Sequence, residues 1–205
     1  MAYVPPYRRE LLGERSGDRQ HQTVNFEKTD NLCTSLYGGE QLKELLGSEE
    51  REHQFEGVVF VLGGSGQNNV WSSDVLTVEV PQLSKVTSVH TLMNCGWGQK
   101  SAVIGSIQFN FTNGSSCVEE ITVGKNVRDH YQGKFHNSLT EKYVTEVMSP
   151  VAPHWTRLDM QTWVFPREFH DKYLLNILIT STGGEPMGKI ELFALTITRT
   201  KDVDV

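Results

Sequence analysis

An all-β chain folded as a two-sheet antiparallel sandwich is what this sequence predicts, and three observations carry the prediction. The first is the stretch from Val103 to Arg128. Val103, Gly105, Ile107, Phe109 and Phe111 fall on one face there, and Ser106, Gln108 and Asn110 on the other, the period-two pattern of a half-buried strand. Asn113-Gly114 follows, a pair that tolerates positive φ, and the chain returns through Cys117 to Val123 as the second arm of a central hairpin. The second is a succession of strand-like runs, most of them closed by glycine or proline, from Val58 to Thr198. The third is what separates them: turns and loops instead of repeated helices, which argues against a βαβ architecture.

Residues 1–22 carry Pro5-Pro6, five arginine or histidine side chains and three acidic ones without periodicity, and read as a flexible or loosely docked arm. Val24 to Phe26 is a short edge strand. Leu42, Leu45 and Leu46 have helical spacing and Gly47 interrupts it, so one short helical segment is expected over an end of the core. Val58 to Leu62 is an uninterrupted β-branched and aromatic run, as a strand buried on both sides should be. A polar, glycine-rich loop with Asn68 and Asn69 follows, then a strand from Val75 to Val80 that Pro81 closes. Val86 to Met93 alternates weakly and enters the turn Asn94-Cys95-Gly96-Trp97-Gly98. After Gly124 comes a long polar and aromatic connection. Further strands are read at Tyr143 to Met148, Leu158 to Thr162, Tyr173 to Thr180 and Lys189 to Thr198. No linker divides them, so residues 23–205 form one domain.

Composition narrows the function. The net charge is −6 and the pI near 5.6, which disfavours nucleic acid as a partner because phosphate-backbone binding needs a positive field. No apolar run is long enough to span a membrane, and the N-terminus lacks the apolar core of a signal peptide. Cys33, Cys95 and Cys117 are an odd number without CxxC spacing, so neither a disulfide framework nor a cysteine-rich zinc site is indicated. These readings point to a soluble chain in the cytoplasm, with no membrane partner.

Several segments together resemble the galactose-binding-like, discoidin-type jelly-roll family. Gly57 to Phe60 looks like that family's early buried strand, and Val75 to Val80 like its inner-sheet strand. Val89 to Leu92 resembles the segment before its variable turn, and Phe109 to Ser115 its strand and asparagine-glycine turn. Gly124 to Asp129 resembles its glycine-x-asparagine-isoleucine-arginine-aspartate segment, and Leu192 to Thr196 its terminal strand. Where such members often carry tryptophan after the arginine-aspartate pair, this chain has His130 and Tyr131. The resemblance implies a jelly-roll sandwich; many of its members bind glycans through one end, and others bind proteins or lipids or brace an enzyme.

Sugar recognition needs a flat apolar surface for the ring's C–H face and planar hydrogen-bonding groups for its hydroxyls. The loops offer Trp71 with Asn68 and Asn69, Trp97 in its glycine turn, and Trp155, with Arg128, Asp129 and Tyr131 as the polar component. Each tryptophan has a competing reading as a core or rim residue. Arg128 and Asp129 have one as anchors of the long connection. Asp74, Asp129 and Asp159 are the oxygen ligands on offer to a structural calcium ion, although no compact loop gathers them; no other cofactor is indicated. Ser65 lacks the strand-to-helix setting of a nucleophile, and Glu119 and Glu120 point to opposite faces of a strand. The expectation is therefore a non-catalytic protein with a glycan ligand, or else an intracellular module for a protein partner or self-association.

Overall fold

The computed structural model describes residues 19–29, 49–63, 70–130, 139–140, 143–148, 156–182 and 188–200. The expected helical segment, the loop with Asn68 and Asn69, and residues 1–18 lie outside these. The described residues form strands β1 (Arg19–Val24), β2 (Arg51–Phe55), β3 (Val58–Leu62), β4 (Val75–Gly96) and β5 (Val103–Phe111). These are followed by β6 (Ser116–Thr122), β7 (Val144–Met148), β8 (Leu158–Val164), β9 (Tyr173–Ser181) and β10 (Lys189–Thr200). A 3-10 turn, Arg167–Phe169, sits between β8 and β9.

Every strand pair is antiparallel, and β4 belongs to both sheets. Its second half pairs with β10 and β8, which gives sheet one the order β1-β10-β4-β8-β7. Its first half pairs with β9, which gives sheet two the order β4-β9-β5-β6. The two runs that Pro81 was expected to separate are thus one strand with a corner in it. The register with β9 jumps from Glu79 to Ser84, and proline, with no N–H to donate, fits that unpaired interval.

The main core lies between the sheets. Val89, Met93, Leu195 and Ile197 from sheet one meet Ile107, Phe109, Ile177 and Ile179 from sheet two. The β2–β3 hairpin covers part of sheet one's other face, where Val58, Phe60 and Leu62 pack on Leu92, Met160 and Phe193. Glu56 and Gly57 both take positive φ in its turn, at 51° and 82°, as a tight hairpin requires. Val58 to Leu62 is therefore not buried on both sides: Val59 and Val61 are only half-buried, because the hairpin is a two-stranded layer of its own. Arg19–Gln22, read from sequence as the end of the arm, belong to β1 and pair with β10. Ladder bonds along an edge need no apolar side chains, which is why periodicity missed them.

The hairpin read as central lies at a margin. β5 and β6 pair as expected around Asn113-Gly114, but β6 is the edge of sheet two. Val103 is exposed and Ile104 fully buried, since a bulge between Val103 and Gly105 reverses the alternation. Gly105 admits no side chain: a Cβ would lie 2.0 Å from the Thr180 carbonyl oxygen and 2.7 Å from Ile190 Cδ1. Gly105→Ala is expected to cost about 2–3 kcal/mol, read as a lower urea midpoint. An unchanged midpoint would mean that β5 does not approach its neighbour β9 and the Ile190 side chain this closely.

Candidate functional site

One end of the sandwich brings together three of the residues singled out from sequence, Trp97, Arg128 and Asp129. β4 arrives there at Gly96, opposite Lys189 at the start of β10. Beyond β6, Val123 bridges to Val127. Asn126 pins this turn, accepting from the Thr122 amide at 2.9 Å and donating to the Glu120 carbonyl at 2.7 Å. The chain then runs alongside the end of β4. Cys95 N–H donates to the Arg128 carbonyl at 3.0 Å, and His130 N–H to the Cys95 carbonyl at 3.0 Å. Arg157 N–H donates to the His130 carbonyl at 2.8 Å, which ties in the start of β8.

Beneath this splice lies a buried charge network. Arg128 donates two bonds to Asp159, from Nε at 2.7 Å and Nη2 at 2.6 Å, and a third to Glu146 at 2.6 Å. Burial alone would lower the Arg128 pKa, but the bonds and charges of Asp159 and Glu146 outweigh it and the net shift is upward. Asn94 clasps Asp159 from both directions, donating to its carboxylate at 3.0 Å and accepting from its amide at 3.1 Å. His130 Nδ1 lies 2.6 Å from Glu191 Oε2. Burial pushes His130 down, yet Glu191 reverses this and holds it at about 9, so it is protonated at neutral pH. Arg157 is the least satisfied member. Its Nε and Nη2 are buried without a hydrogen-bond partner, as are His130 Nε2 and Thr156 Oγ1, and burial followed by repulsion from Arg128 lowers its pKa.

Trp97 crowns this end. It is 64% exposed and takes a left-handed backbone, φ 60°, a conformation that costs a non-glycine residue about 1–3 kcal/mol. Its neighbours explain the direction it takes: a Cβ on Gly98 would lie 2.6 Å from Cys95 Sγ, and one on Gly96 would lie 2.9 Å from Glu191 Oε1. With the flanking positions packed flat, the indole projects outward. Half-buried Asp129 lies close by, bridged to Cys95 two residues before the tryptophan.

The other sequence candidates divide. Trp71 is 2% exposed and exchanges backbone bonds with Leu192 at 2.9 and 3.0 Å; its indole belongs to the core and presents no face to a ligand. Arg128 is committed to its carboxylates. Asn68, Asn69, Tyr131 and Trp155 lie outside the described residues. Asp159 serves Arg128, and among the described residues no three histidine, cysteine or acidic side chains gather as a metal site. The sequence reading missed Glu146, Arg157 and Glu191 as members of the network. Charges do interrupt an apolar strand at Arg157-Leu158-Asp159-Met160, but nothing local links that run to Glu146 or Glu191.

No protein-family model matches the chain, and no curated protein matches it. Among the described residues no helix is long and apolar enough to cross a membrane.

Proposed function

We propose that this chain is a non-catalytic carbohydrate-binding protein with a galactose-binding-like jelly roll, and that it binds glycan at the end carrying Trp97. The observation that supports the reading best is Trp97 itself, a large aromatic 64% exposed on a left-handed backbone two residues after Cys95, which the Arg128 segment pairs with. Strain of this kind persists where the surroundings fix it, and such positions cluster at ligand sites. The indole offers the ring's C–H face a platform, and planar polar side chains beside it would take the hydroxyls. The acids of the underlying network, Asp159, Glu146 and Glu191, are bonded to Arg128 or His130, which suits support better than proton transfer.

A glycan array probed with the purified chain, with calcium present and absent, tests this reading. Trp97→Gly is the informative variant, because glycine takes the left-handed backbone without strain and little buried surface is lost. It is expected to keep the urea midpoint and to weaken glycan binding at least tenfold. Failure to bind across a broad glycan set would transfer the assignment to a protein-interaction module. The outer face of sheet two favours that second reading. It carries a ladder of neutral polar side chains, with Ser106 bonded to Thr180 at 2.8 Å and Asn110 to Asn176 at 2.8 Å, beside exposed Val118.

A further inference from the structure

The sandwich is joined at the β4 corner and open on the side where β6 edges sheet two and β7 edges sheet one. A cleft of about 140 Å³ lies there; Trp97 is not among its lining residues, although it shares Lys125 and Asn126 with the turn that leads to the Trp97 end. Phe109, Trp163 and Phe165 form its floor, with Phe109 6.4 Å from Trp163 and 4.9 Å from Phe165 between ring centroids. Glu119 of β6 walls one side and Tyr143 and Val144 the other, with Lys125 among the lining residues.

Glu119 is the reason to regard the cleft as a site. It stands opposite Ile107, which is fully buried, so its side chain starts from the core face of sheet two, the face that Ile121 fills two residues later. An apolar residue at that position would close the gap between the sheets, whereas a carboxylate cannot be buried there unpaired. Glu119 is exposed, and the side stays open. An inward charge on an edge strand also discourages edge-to-edge pairing, which is the competing explanation.

Size and charge define what fits. An apolar cavity of about 150 Å³ accepts benzene, six heavy atoms; a hexose has twelve, so this cleft takes one face of a single ring and leaves its remaining hydroxyls outside. Glu119 and Lys125 bring opposite charges to the same cleft, which gives a net anion or cation little advantage, while both bond well to hydroxyls. The aromatic floor suits an apolar ring face. We propose that the cleft binds one neutral, polyhydroxylated six-membered ring, as a free sugar or cyclitol or as the terminal unit of a longer glycan. The proposal rests on the carbohydrate reading and adds to it a second site with its own selectivity.

Amide and indole NMR signals of the full chain, titrated with D-galactose, D-glucose, myo-inositol and lactose, test it. Saturable shifts at Glu119, Val144 and Trp163 with at least one neutral ring are the expected result. Lactose moving these signals where both free hexoses fail would assign the cleft to a chain terminus; the reverse would assign it to free rings. Glu119→Gln should weaken the response at least tenfold, and Val144→Phe, which fills the cleft from the opposite wall, should abolish it, both with the remaining spectrum intact. The proposal is overturned if no neutral ring moves the cleft signals, if D-glucuronate or D-glucosamine binds tenfold more tightly than its neutral parent, or if Glu119→Gln binds normally and merely self-associates. Shifts at the Trp97 indole alone would overturn the cleft and leave the main assignment standing. Shifts in the cleft alone would keep the carbohydrate reading and overturn its placement at Trp97.

Discussion

Arg128→Ala is expected to lower the unfolding free energy by about 3–5 kcal/mol, the cost of stranding a buried charge. The Asp159 side chain is completely inaccessible, whereas Glu146 keeps about a third of its surface and can turn to water. The loss therefore originates at Asp159. Asp159→Asn in the Arg128→Ala background should recover part of it, since an amide needs no counter-ion. Urea denaturation of the two single variants and the double gives the coupling directly. Simple additivity would mean that the pair is not what Arg128 contributes. If glycan binding at Trp97 survives in a folded variant of this set, Arg128 supports the fold and does not touch the ligand.

His130 is also expected to contribute less stability as pH rises through the alkaline range. Its folded pKa, about 9, lies above the ordinary 6.5, so the native state holds a proton that the unfolded chain releases earlier. The stabilisation is complete below the unfolded value and disappears as pH passes the folded one. At full extent it amounts to about 3 kcal/mol at 1.36 kcal/mol per pKa unit. Urea midpoints should fall relative to those of His130→Gln, whose amide keeps a donor for Glu191, across that window; buried Lys28, pushed down to about 8, adds the same rising slope above that pH to both proteins. A wild-type curve parallel to the variant's would mean that the pair does not titrate in this way.

The strands were legible where one face meets the core and the other meets water. β5 shows this best, since Ile107, Phe109 and Phe111 are buried and Gln108 and Asn110 half-buried. Legibility failed where a strand's other face is covered by protein. Val86 to Met93 alternates weakly because Ser88 and His90 are buried too, with His90 bonded to Ser88, Thr162 and Thr198 at 3.0–3.1 Å. Polar letters there mean internal bonds, not solvent. Bulges caused the other misreadings: on β9, Leu174 turns inward and Leu175 outward beside the register shift at Asn110/Phe111. Of the candidate end, the exposed aromatic and the Gly124 to Asp129 segment could be found by local pattern. Glu146, Arg157 and Glu191 could not, because each comes from a different strand or loop and only the fold makes them neighbours.

The position of β10 sets a schedule for the ribosome. It lies between β1 and β4, with Arg19 opposite Thr200. It also supplies Leu195 and Ile197 to one core and Phe193 and Ala194 to the other, so neither core is finished until it has been made. At roughly 5–20 residues per second, β1 waits on the order of 10–35 s for its partner. The aromatic and β-branched strands synthesised between them remain without their final cover for the same interval. Until β10 is made, both cores lack a wall and β1 lacks its partner.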